Sequence, residues 1–445
     1  MSKILIKNAL IINEGKKYNS DVLIQNDVIF KISKNIIQNK DFKVIDATNK
    51  ILIPGIIDDQ VHFREPGLTH KASIETESRA AIAGGITSYI EMPNTLPNTT
   101  TIKELDRKFK IAEKKSYANF SFMFGGTNDN LDEIIKLDKN KVAALKLFLG
   151  SSTGNMLVDN EKVLEDIFKN SNLLIAVHSE DEKIIRQNME FYKNKYGDDI
   201  PFSFHPKIRS EESCLKSTKK IIKLAKKTGA RLHVFHLSTK SETKLFNNKV
   251  PLDQKRITSE VCVHHLWFCD HDYINKKSYI KWNPAIKTKK DREGLWEALN
   301  DDRIDVIATD HAPHTIEEKN QKYLNSPSGG PLVQHGLVSM IEHYINKKIS
   351  LEKIIQKMCH NPSHLFQIEK RGFIKEGYYA DLVLIDMNKK WTVNKSNLLY
   401  KCKWSPFENV TFNSMVTHTF INGKLAYCNG KFAKDKYGLR LTFNR

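Results

Sequence analysis

Residues 51–67, ILIPGIIDDQVHFREPG, decide the fold of this chain and indicate its chemistry. An apolar run that is typical of a buried strand ends in a histidine and an arginine, His62 and Arg64. On an extended strand these two side chains share one face. A neutral imidazole binds a metal ion, and a guanidinium fork suits a carboxylate, so the segment predicts a metal and an anion side by side. Gln60 takes a third position on this face, where a metal site would favour another histidine.

Eight apolar runs, the first of them in this segment, alternate with helical stretches. Parallel strands joined by helices produce such alternation, and eight is the number of strands in a closed (β/α)8 barrel. An open doubly wound sheet is the alternative, but it would not explain why polar residues recur at so many strand ends. The runs are 56–63, 86–92, 119–125, 142–150, 173–179, 230–236, 257–265 and 304–311. Helices are expected between them, for example at 73–84, 159–169 and 211–227.

Both chain ends consist of short strand-like segments separated by turn residues. Chain termini often lie close together, so the two ends are expected to form one small β-sandwich domain. The expected fold class is therefore α/β, a TIM-type barrel with a small β-sandwich. The expected boundaries are 1–53 for the N-terminal part of the sandwich, 54–370 for the barrel and 371–445 for the C-terminal part.

The composition excludes several classes of protein. With 445 residues, 40% of them hydrophobic, the chain can bury a large core. It has no apolar run of the roughly 18 residues that a membrane span needs, and no signal-peptide pattern, so we expect a cytoplasmic protein without a membrane partner. Six scattered cysteines without a Cys-x-x-Cys pair predict neither a disulfide framework nor a thiolate zinc site.

The formal charge of +18 at pH 7 raises the question of nucleic-acid binding. However, the lysines are spread along the chain in helical contexts such as residues 216–227, where they form a solvated face opposite an apolar stripe. Lysine, isoleucine and asparagine are abundant together, as expected of an AT-rich bacterial genome. No nucleic-acid partner is therefore expected.

Polar residues follow the apolar runs at several strand ends. In a barrel the carboxyl ends of the strands converge on one mouth, so residues far apart in sequence meet there. Each histidine alone would be interpreted as a hydrogen-bonded core or rim residue. Histidines on three strands, together with a lysine and an aspartate, instead predict a metal cluster. Its members are His62, Lys146, His178, His236 and Asp310.

Lys146 stands inside the apolar run VAALKLFLG, where a bare ammonium is costly to bury. Carboxylation by CO₂ would convert it into a carbamate that bridges two divalent cations. The alternative is a lysine that pairs with a carboxylate at the barrel mouth.

The run TDHAPH, residues 309–314, supplies an aspartate at the end of the last barrel strand. A bound divalent ion lowers the pKa of its water from about 15.7 toward 7, and Asp310 is expected to be metal ligand and general base together. His314 suits a substrate anion, although it could instead cap the barrel rim. His233 is expected to point to the other face of its strand, into packing. The histidine pair at 264–265 is either structural or a support for the site.

Several motifs in register resemble the amidohydrolase superfamily, and more closely the dihydroorotases of the long, class I type. The resemblance covers nearly the whole chain, and it implies a barrel that carries a β-sandwich built from both chain ends. The motifs are DDQVHFREPG, AAIAGGITSYIEMPNTLP, ALKLFLG, AVHSED, VFHLST, WNPAIKTKKDREGLWEAL, IDVIATDHAPH and HNPSHLFQIEKRGFIKEGYYADLVLID.

The resemblance implies the reversible cyclisation of N-carbamoyl-L-aspartate to L-dihydroorotate in pyrimidine synthesis. The ligands implied for one or two zinc ions are His62, Lys146 as carboxylysine, His178, His236 and Asp310. The substrate contacts implied are Arg64, Asn94, Asn283 and His314. Arg64 and Asn94 would bind the free α-carboxylate. Hydantoinase-type and allantoinase-type cyclic amidases share the metal set but act on rings without this carboxylate.

Two segments depart from the family pattern. Gln60 replaces a histidine, and a glutamine amide is a much weaker zinc ligand. Residues 328–340, SGGPLVQHGLVSM, also differ from the common sequence there. A catalytically weak or inactive scaffold that supports aspartate transcarbamoylase is therefore an alternative, although retention of the other ligands favours an enzyme. A homodimer is the expected oligomer.

Overall fold

The computed structural model describes residues 3–150 and 156–445. Five strands open the chain, and most are rich in the branched aliphatic residues that favour a pleated, half-buried backbone. They are β1 (Lys3–Asn13), β2 (Lys16–Gln25), β3 (Val28–Ser33), β4 (Phe42–Asp46) and β5 (Lys50–Pro54).

The next eight strands form a parallel barrel, as the eight apolar runs predict. They are β6 (Ile56–Val61), β7 (Ile86–Glu91), β8 (Asn119–Gly125), β9 (Ala144–Phe148), β10 (Ile175–His178), β11 (Leu232–Val234), β12 (Ile257–Cys262) and β13 (Val306–Ala308). Each strand pairs with the next in chain order. The barrel closes where Val61 bridges His311 and the His62 N–H donates to the His311 carbonyl at 2.7 Å. The predicted fold class is confirmed.

Helices follow the barrel strands. They are α1 (Ile74–Ala83), α2 (Ile102–Lys115), α3 (Leu131–Ile135), α4 (Glu161–Asn170), α5 (Glu182–Tyr196), α6 (His205–Ile208), α7 (Glu211–Thr228), α8 (Lys240–Thr243), α9 (Val263–Trp267), α10 (Tyr273–Lys276), α11 (Lys289–Asn300), α12 (Ile316–Lys319), α13 (Gly336–Ile345), α14 (Leu351–Ile355) and α15 (Asn361–Phe366). The three helices expected from sequence are α1, α4 and α7, and the caps Ser73, Asn160 and Ser210 fix their starts by accepting backbone N–H groups. None of the described helices is long and apolar enough to cross a membrane.

Strands from the two chain ends share a second sheet. The late strands are β14 (Leu382–Asp386), β15 (Trp391–Thr392), β16 (Thr411–Phe412), β17 (Met415–Ile421), β18 (Lys424–Cys428) and β19 (Lys431–Phe432). Strand β14 pairs antiparallel with β5 and thereby joins both ends in one nine-stranded sheet, while β15 and β16 pair with each other. One apolar cluster contains Ile11, Leu52, Leu384 and Phe420, so the two ends also share a core. The domain boundaries at 53/54 and 370/371 stay a prediction.

Alternation along the barrel strands separates an outer from an inner layer of side chains. Leu145 and Leu147 belong to the main core, whereas Ala144 and Ala176 belong to a second, smaller cluster inside the barrel. Because Lys146 lies between Leu145 and Leu147 on the same strand, its side chain is on the inner face. The barrel interior is therefore where the charged residues of the strands meet.

Candidate active site

A cavity of about 230 Å³ lies at the carboxyl ends of the barrel strands. Every residue that the sequence indicates as a metal or substrate contact lines this cavity, and so does Gln60. The structure thus brings together side chains that are as far apart in sequence as Arg64 and His314, because parallel strands end at the same mouth. The predicted residues that line it are His62, Arg64, Asn94, Lys146, His178, His236, Asn283, Asp310 and His314.

The candidate metal ligands form two pairs of facing side chains. His178 Nδ1 lies 3.0 Å from His236 Nε2, and His62 Nε2 lies 3.2 Å from Asp310 Oδ1. Ligand atoms at 2.1 Å from a tetrahedral zinc ion are about 3.4 Å apart, so each pair has roughly the spacing of two ligands of one ion. Lys146 interacts electrostatically with members of both pairs. The donor set therefore fits divalent metal ions such as zinc, with Lys146 close enough to act on both pairs.

Two of the histidines are oriented by hydrogen bonds on the side away from their pair. His62 Nδ1 lies 2.8 Å from Asn94 Oδ1, and His178 Nε2 lies 2.8 Å from Glu180 Oε2. Glu180 also forms a buried ion pair with Arg209. Carboxylate and amide oxygens in these positions hold the ring orientation and leave the second nitrogen for a metal. The sequence interpretation missed Glu180. Its position two residues after His178 in AVHSED could have indicated a carboxylate that orients this histidine.

Burial sets the protonation states in the cavity. It lowers the pKa of His178, and it lowers the pKa of His62 and of His236 well below the ordinary value, so all three imidazoles are neutral at neutral pH. Burial also raises the pKa of Asp310 to about 7 and lowers the pKa of Lys146 to about 7. Neutral imidazole is the form that binds metals, and a neutral amine is the form that reacts with CO₂.

Lys146 lacks the carboxylate partner that the alternative interpretation requires. Its side chain is 1% exposed, and its Nζ has no hydrogen-bond partner and no ion pair among residues 3–150 and 156–445. The nearest groups include the rings of Phe235 and Phe148, whose centroids lie 4.0 and 5.0 Å from Nζ. A buried cation–π contact stabilises by about 2 kcal/mol. This is less than the free-energy cost of burying an ammonium without a charged partner.

Gln60 points into the cavity but is oriented by a neighbour. Its side chain is buried, and its Oε1 lies 3.5 Å from Cys262 Sγ, whose single hydrogen has a second acceptor in Glu260 Oε1 at 3.4 Å. The amide oxygen, which is the group of Gln60 that could contact a metal, therefore faces the thiol at the end of β12. The pair of His62 and Asp310 has no second histidine beside it.

Arg64 and His314 form the part of the cavity wall that suits an anion. The Arg64 Nε donates to the Pro313 carbonyl at 3.0 Å, and a terminal nitrogen of Arg64 lies 3.0 Å from His314 Nε2. Lys71 Nζ lies 3.1 Å from the other ring nitrogen of His314. Burial lowers the pKa of Arg64 to about 10, so the guanidinium stays charged at neutral pH. A carboxylate would therefore meet a cation that is already held in position.

The loop of residues 312–330 forms the rim of the cavity, and two buried lysines hold it. Lys319 Nζ donates to two carbonyls of the loop at 2.8 Å, and Lys281 Nζ donates to another at 2.7 Å. Trp404 Nε1 donates to the His314 carbonyl, also at 2.8 Å. These bonds fix the backbone that carries His314.

The backbone turns sharply at three of the predicted residues. Arg64, His236 and Asp310 have φ angles of +67°, +38° and +46°. The left-handed region costs a non-glycine residue about 1–2 kcal/mol, and such strain concentrates at functional sites. Here each turn directs a side chain at the end of a strand toward the common mouth.

His233 lies inside the barrel, so the expectation that it packs on the other face of its strand is wrong. It pairs with Ala176, which in turn pairs with Lys146. Its neighbours in sequence, 232 and 234, belong to the outer core. The sequence interpretation assumed strict alternation up to His236, but the positive φ at that residue breaks the alternation, and both histidines face inward.

The histidine pair at 264–265 supports the site rather than entering it. His264 stacks on Trp282 with 4.4 Å between ring centroids, and a nitrogen of His265 lies 3.1 Å from the Pro284 carbonyl. Asn283 lies between these two contacts and lines the cavity. The pair therefore holds the segment that presents Asn283.

A closed parallel barrel with this mouth defines a hydrolase of the amidohydrolase class. The model of the Amidohydrolase family matches residues 51–426. A dihydroorotase of Carboxydothermus hydrogenoformans is 34% identical over 439 residues, which cover 95% of this chain and 97% of that protein. A dihydroorotase of Methanosarcina acetivorans is 31% identical over 424 residues, with 92% and 89% covered. The chain belongs to the amidohydrolase family and, within it, to the dihydroorotases.

The fold is also that of solved cyclic amidases. The structure of the L-hydantoinase (dihydropyrimidinase) from Arthrobacter aurescens superimposes with a TM-score of 0.92. The match covers 99% of this chain and 100% of the hydantoinase at 26% identity. The choice between the two substrate classes therefore depends on the residues of the cavity.

Proposed function

We propose that this protein is a zinc-dependent dihydroorotase, which interconverts N-carbamoyl-L-aspartate and L-dihydroorotate on the route to UMP. The dihydroorotase relatives support the reaction. The observation that carries the proposal is the position of Arg64, a buried cation that lines the same cavity as the two ligand pairs. Dihydroorotate has a ring amide and a carboxylate. The ring amide would lie at the metal ligands, and the carboxylate would lie at Arg64.

Each proposed zinc ion would have three protein ligands. The two ligand pairs would supply two ligands per ion, and Lys146, as a carbamate, would be the third ligand residue of each. Three protein ligands with one open position are the pattern of catalytic zinc, so the glutamine at position 60 leaves a sufficient set. When bound, zinc polarises a carbonyl and makes a water acidic enough to act at neutral pH.

Asp310 is the proposed proton carrier. In the hydrolytic direction its carboxylate takes a proton from the attacking water and delivers it to the ring nitrogen that leaves; in the synthetic direction it does the reverse. Burial raises the pKa of Asp310 to about 7 in the metal-free chain, and a bound cation lowers it, so the carboxylate is the form that takes the proton. Trp282 Nε1 donates to the Asp310 carbonyl at 3.3 Å and so holds the backbone of this residue.

Arg64 favours dihydroorotate over hydantoins. Hydantoin and dihydrouracil rings carry no carboxylate that would pair with a guanidinium, whereas dihydroorotate carries one on the carbon next to the ring nitrogen that is not released. An unpaired arginine at the wall of a buried cavity would weaken binding of the neutral rings, because its charge would lose water without gaining a partner. Asn94, Asn283 and His314 are the proposed further substrate contacts.

The test combines zinc analysis of the purified protein with assays of both reaction directions. We expect bound zinc, hydrolysis of L-dihydroorotate and cyclisation of N-carbamoyl-L-aspartate, and much slower hydrolysis of hydantoin and dihydrouracil. Faster hydrolysis of the neutral rings would favour the hydantoinase alternative. A protein that binds no zinc and shows no turnover with zinc and bicarbonate would instead be the inactive scaffold. Homodimerisation, association with aspartate transcarbamoylase and a cytoplasmic location stay predictions.

Arg64→Lys should mainly weaken substrate binding. An ammonium keeps the charge but cannot form two parallel bonds to a carboxylate, and hydrogen bonds to charged groups contribute about 1.5–3 kcal/mol. KM for dihydroorotate should therefore rise roughly 10-fold to 100-fold, with a much smaller change in kcat. Steady-state kinetics measure the two separately. An unchanged KM would remove Arg64 from the proposed carboxylate site.

Glu180→Gln should weaken zinc binding by roughly 10-fold to 100-fold without a direct effect on substrate recognition. Although burial raises the pKa of Glu180, Arg209 and His178 hold the pKa at about 2, so Glu180 is a carboxylate that orients the His178 ring. A neutral amide accepts the same bond more weakly. Chelator competition measures zinc affinity, and Glu242→Gln is a control, since Glu242 is also buried but bonds to Thr239 and Thr218. Equal affinities in both variants would contradict the role.

A further inference from the structure

A second group of ligand-type side chains lies inside the barrel, apart from the two ligand pairs. It consists of Asp59, His233 and Glu260, whose ligand atoms all lie within 4.8 Å of one another. All three residues are fully buried. We call this group the inner cluster. The sequence interpretation used neither of its carboxylates.

The strand register places the inner cluster beside Lys146. Adjacent strands pair Lys146 with Ala176, Ala176 with His233, and His233 with Thr258. His233 is therefore at the level of Lys146, with its side chain directed into the barrel. Glu260 follows Thr258 on the same face of β12, one step closer to the mouth.

The hydroxyl of Thr258 determines which nitrogen of His233 carries the proton. Thr258 Oγ1 donates to the Leu232 carbonyl at 3.2 Å, so it accepts at 2.8 Å from His233 Nδ1. Nδ1 therefore carries the proton, and Nε2 presents a lone pair. This lone pair faces Asp59 Oδ2 at 3.7 Å and Glu260 Oε2 at 3.6 Å.

Three acceptors that face one another repel unless a metal ion or a proton lies among them. The separations of 3.6 and 3.7 Å exceed the 2.7–3.2 Å of an ordinary N–H···O bond but are close to the spacing of about 3.4 Å between ligands of a tetrahedral zinc ion. Within the described parts of the chain, His233 Nε2, Glu260 Oε2 and both Asp59 oxygens have no hydrogen-bond partner. Burial raises the pKa of Asp59 and the pKa of Glu260, so in the metal-free chain a proton shared between the two carboxyls satisfies part of the inner cluster and leaves His233 Nε2 without a donor.

The charge balance favours a divalent cation. Two ionised carboxylates in a water-excluded interior need about two positive charges, and one divalent ion supplies both in place of the protons that the metal-free carboxyls retain. Lys146 is the cation with an electrostatic effect on Asp59 and Glu260, but a carbamate on Lys146 would reverse its sign. One imidazole and two carboxylates are ligands that zinc and similar ions accept.

We propose that Asp59, His233 and Glu260 bind a divalent transition-metal ion such as Zn²⁺ inside the barrel, separate from the ions at the mouth. The ion would stabilise the base of the active site, because Glu260 also accepts the backbone N–H of His236 at 3.3 Å. This site does not depend on the proposed dihydroorotase reaction, since its ligands are outside the two ligand pairs.

Anomalous scattering at the zinc edge tests the site directly. Crystals of the full chain grown with zinc should show a peak about 2.0–2.2 Å from His233 Nε2 and from one oxygen of each carboxylate. This position is distinct from any peak at the mouth. A map with zinc at the mouth alone, with a water or a shared proton between the carboxylates, overturns the proposal.

Zinc stoichiometry provides a second test that needs no crystal and no activity. Dialysed His233→Gln and Glu260→Gln proteins should each hold one zinc ion fewer per chain than the unchanged protein. His335→Gln is the matched control, because His335 is also buried, has Nδ1 2.8 Å from the Tyr400 hydroxyl, and has no partner for Nε2 among the described residues. It should leave the zinc content unchanged.

One further variant distinguishes the proposed inner ion from the proposed ions at the mouth. His178→Asn removes a ligand at the mouth and should lower turnover while the inner ion remains detectable. If the two inner-cluster variants keep the full zinc content, the proposal is wrong. If they do not fold, the anomalous map of the unchanged chain decides.

Discussion

Asp310→Asn should lower kcat roughly 10²-fold to 10⁴-fold, the range expected when a general acid–base group is lost. Asparagine has the size of aspartate and keeps an oxygen for a metal, but it cannot take up and release a proton. The carboxyl lies 3.2 Å from His62 Nε2 and lines the cavity, so it is placed where the attacking water and the leaving nitrogen would be. Assays of both directions under saturating zinc measure the effect, and circular dichroism checks the fold.

A control separates proton transfer from the general effect of removing a buried carboxyl. Burial also raises the pKa of Asp58 to about 7, but its carboxylate accepts from the Thr309 hydroxyl at 2.6 Å and does not line the cavity. Asp58→Asn should therefore retain most of the turnover. Similar losses in both variants would show that the effect of Asp310→Asn is structural, and substantial activity in Asp310→Asn would exclude it as the general base.

Lys146→Met should abolish turnover and lower the zinc content while the protein stays folded. The native amine is buried without a partner among the described residues, and methionine fills similar space without a charge, so the free energy of unfolding of the metal-free protein should not fall. Without an amine there is no carbamate, and both proposed ions lose a ligand. Zinc analysis, turnover and thermal unfolding together measure these effects.

The chemistry of Lys146 gives this prediction a pH dependence. Only the neutral amine reacts with CO₂, and burial lowers the pKa of Lys146 to about 7, so the fraction of neutral amine rises as the pH increases through 7. At the same concentration of dissolved CO₂, protein depleted of CO₂ should therefore regain zinc and activity faster at pH 8 than at pH 6. Native mass spectrometry should detect one added CO₂ that Lys146→Met lacks. Full activity without bound CO₂ would contradict the carbamate.

The barrel was predictable because the pattern of buried strands is local. Eight apolar runs identify the strands, polar residues at several of their ends identify the mouth, and the structure has a strand at every run. The nine candidate side chains were also identifiable, since each follows a strand or lies in a family motif, and they line one cavity. Their roles as ligands and substrate contacts stay proposals.

What the sequence could not provide was which side chains contact one another and at what distance. By itself it determined the order of strands and the candidate residues of the cavity, most of them from residue type and spacing and others, such as Asn283, from the family resemblance, which also identified the departure at Gln60. Only the tertiary structure decided that Gln60 turns to Cys262, that Glu180 orients His178, and that His233 faces two carboxylates. The physical reason is that barrel closure and the left-handed turns at strand ends bring these groups together, and no local pattern encodes their distances.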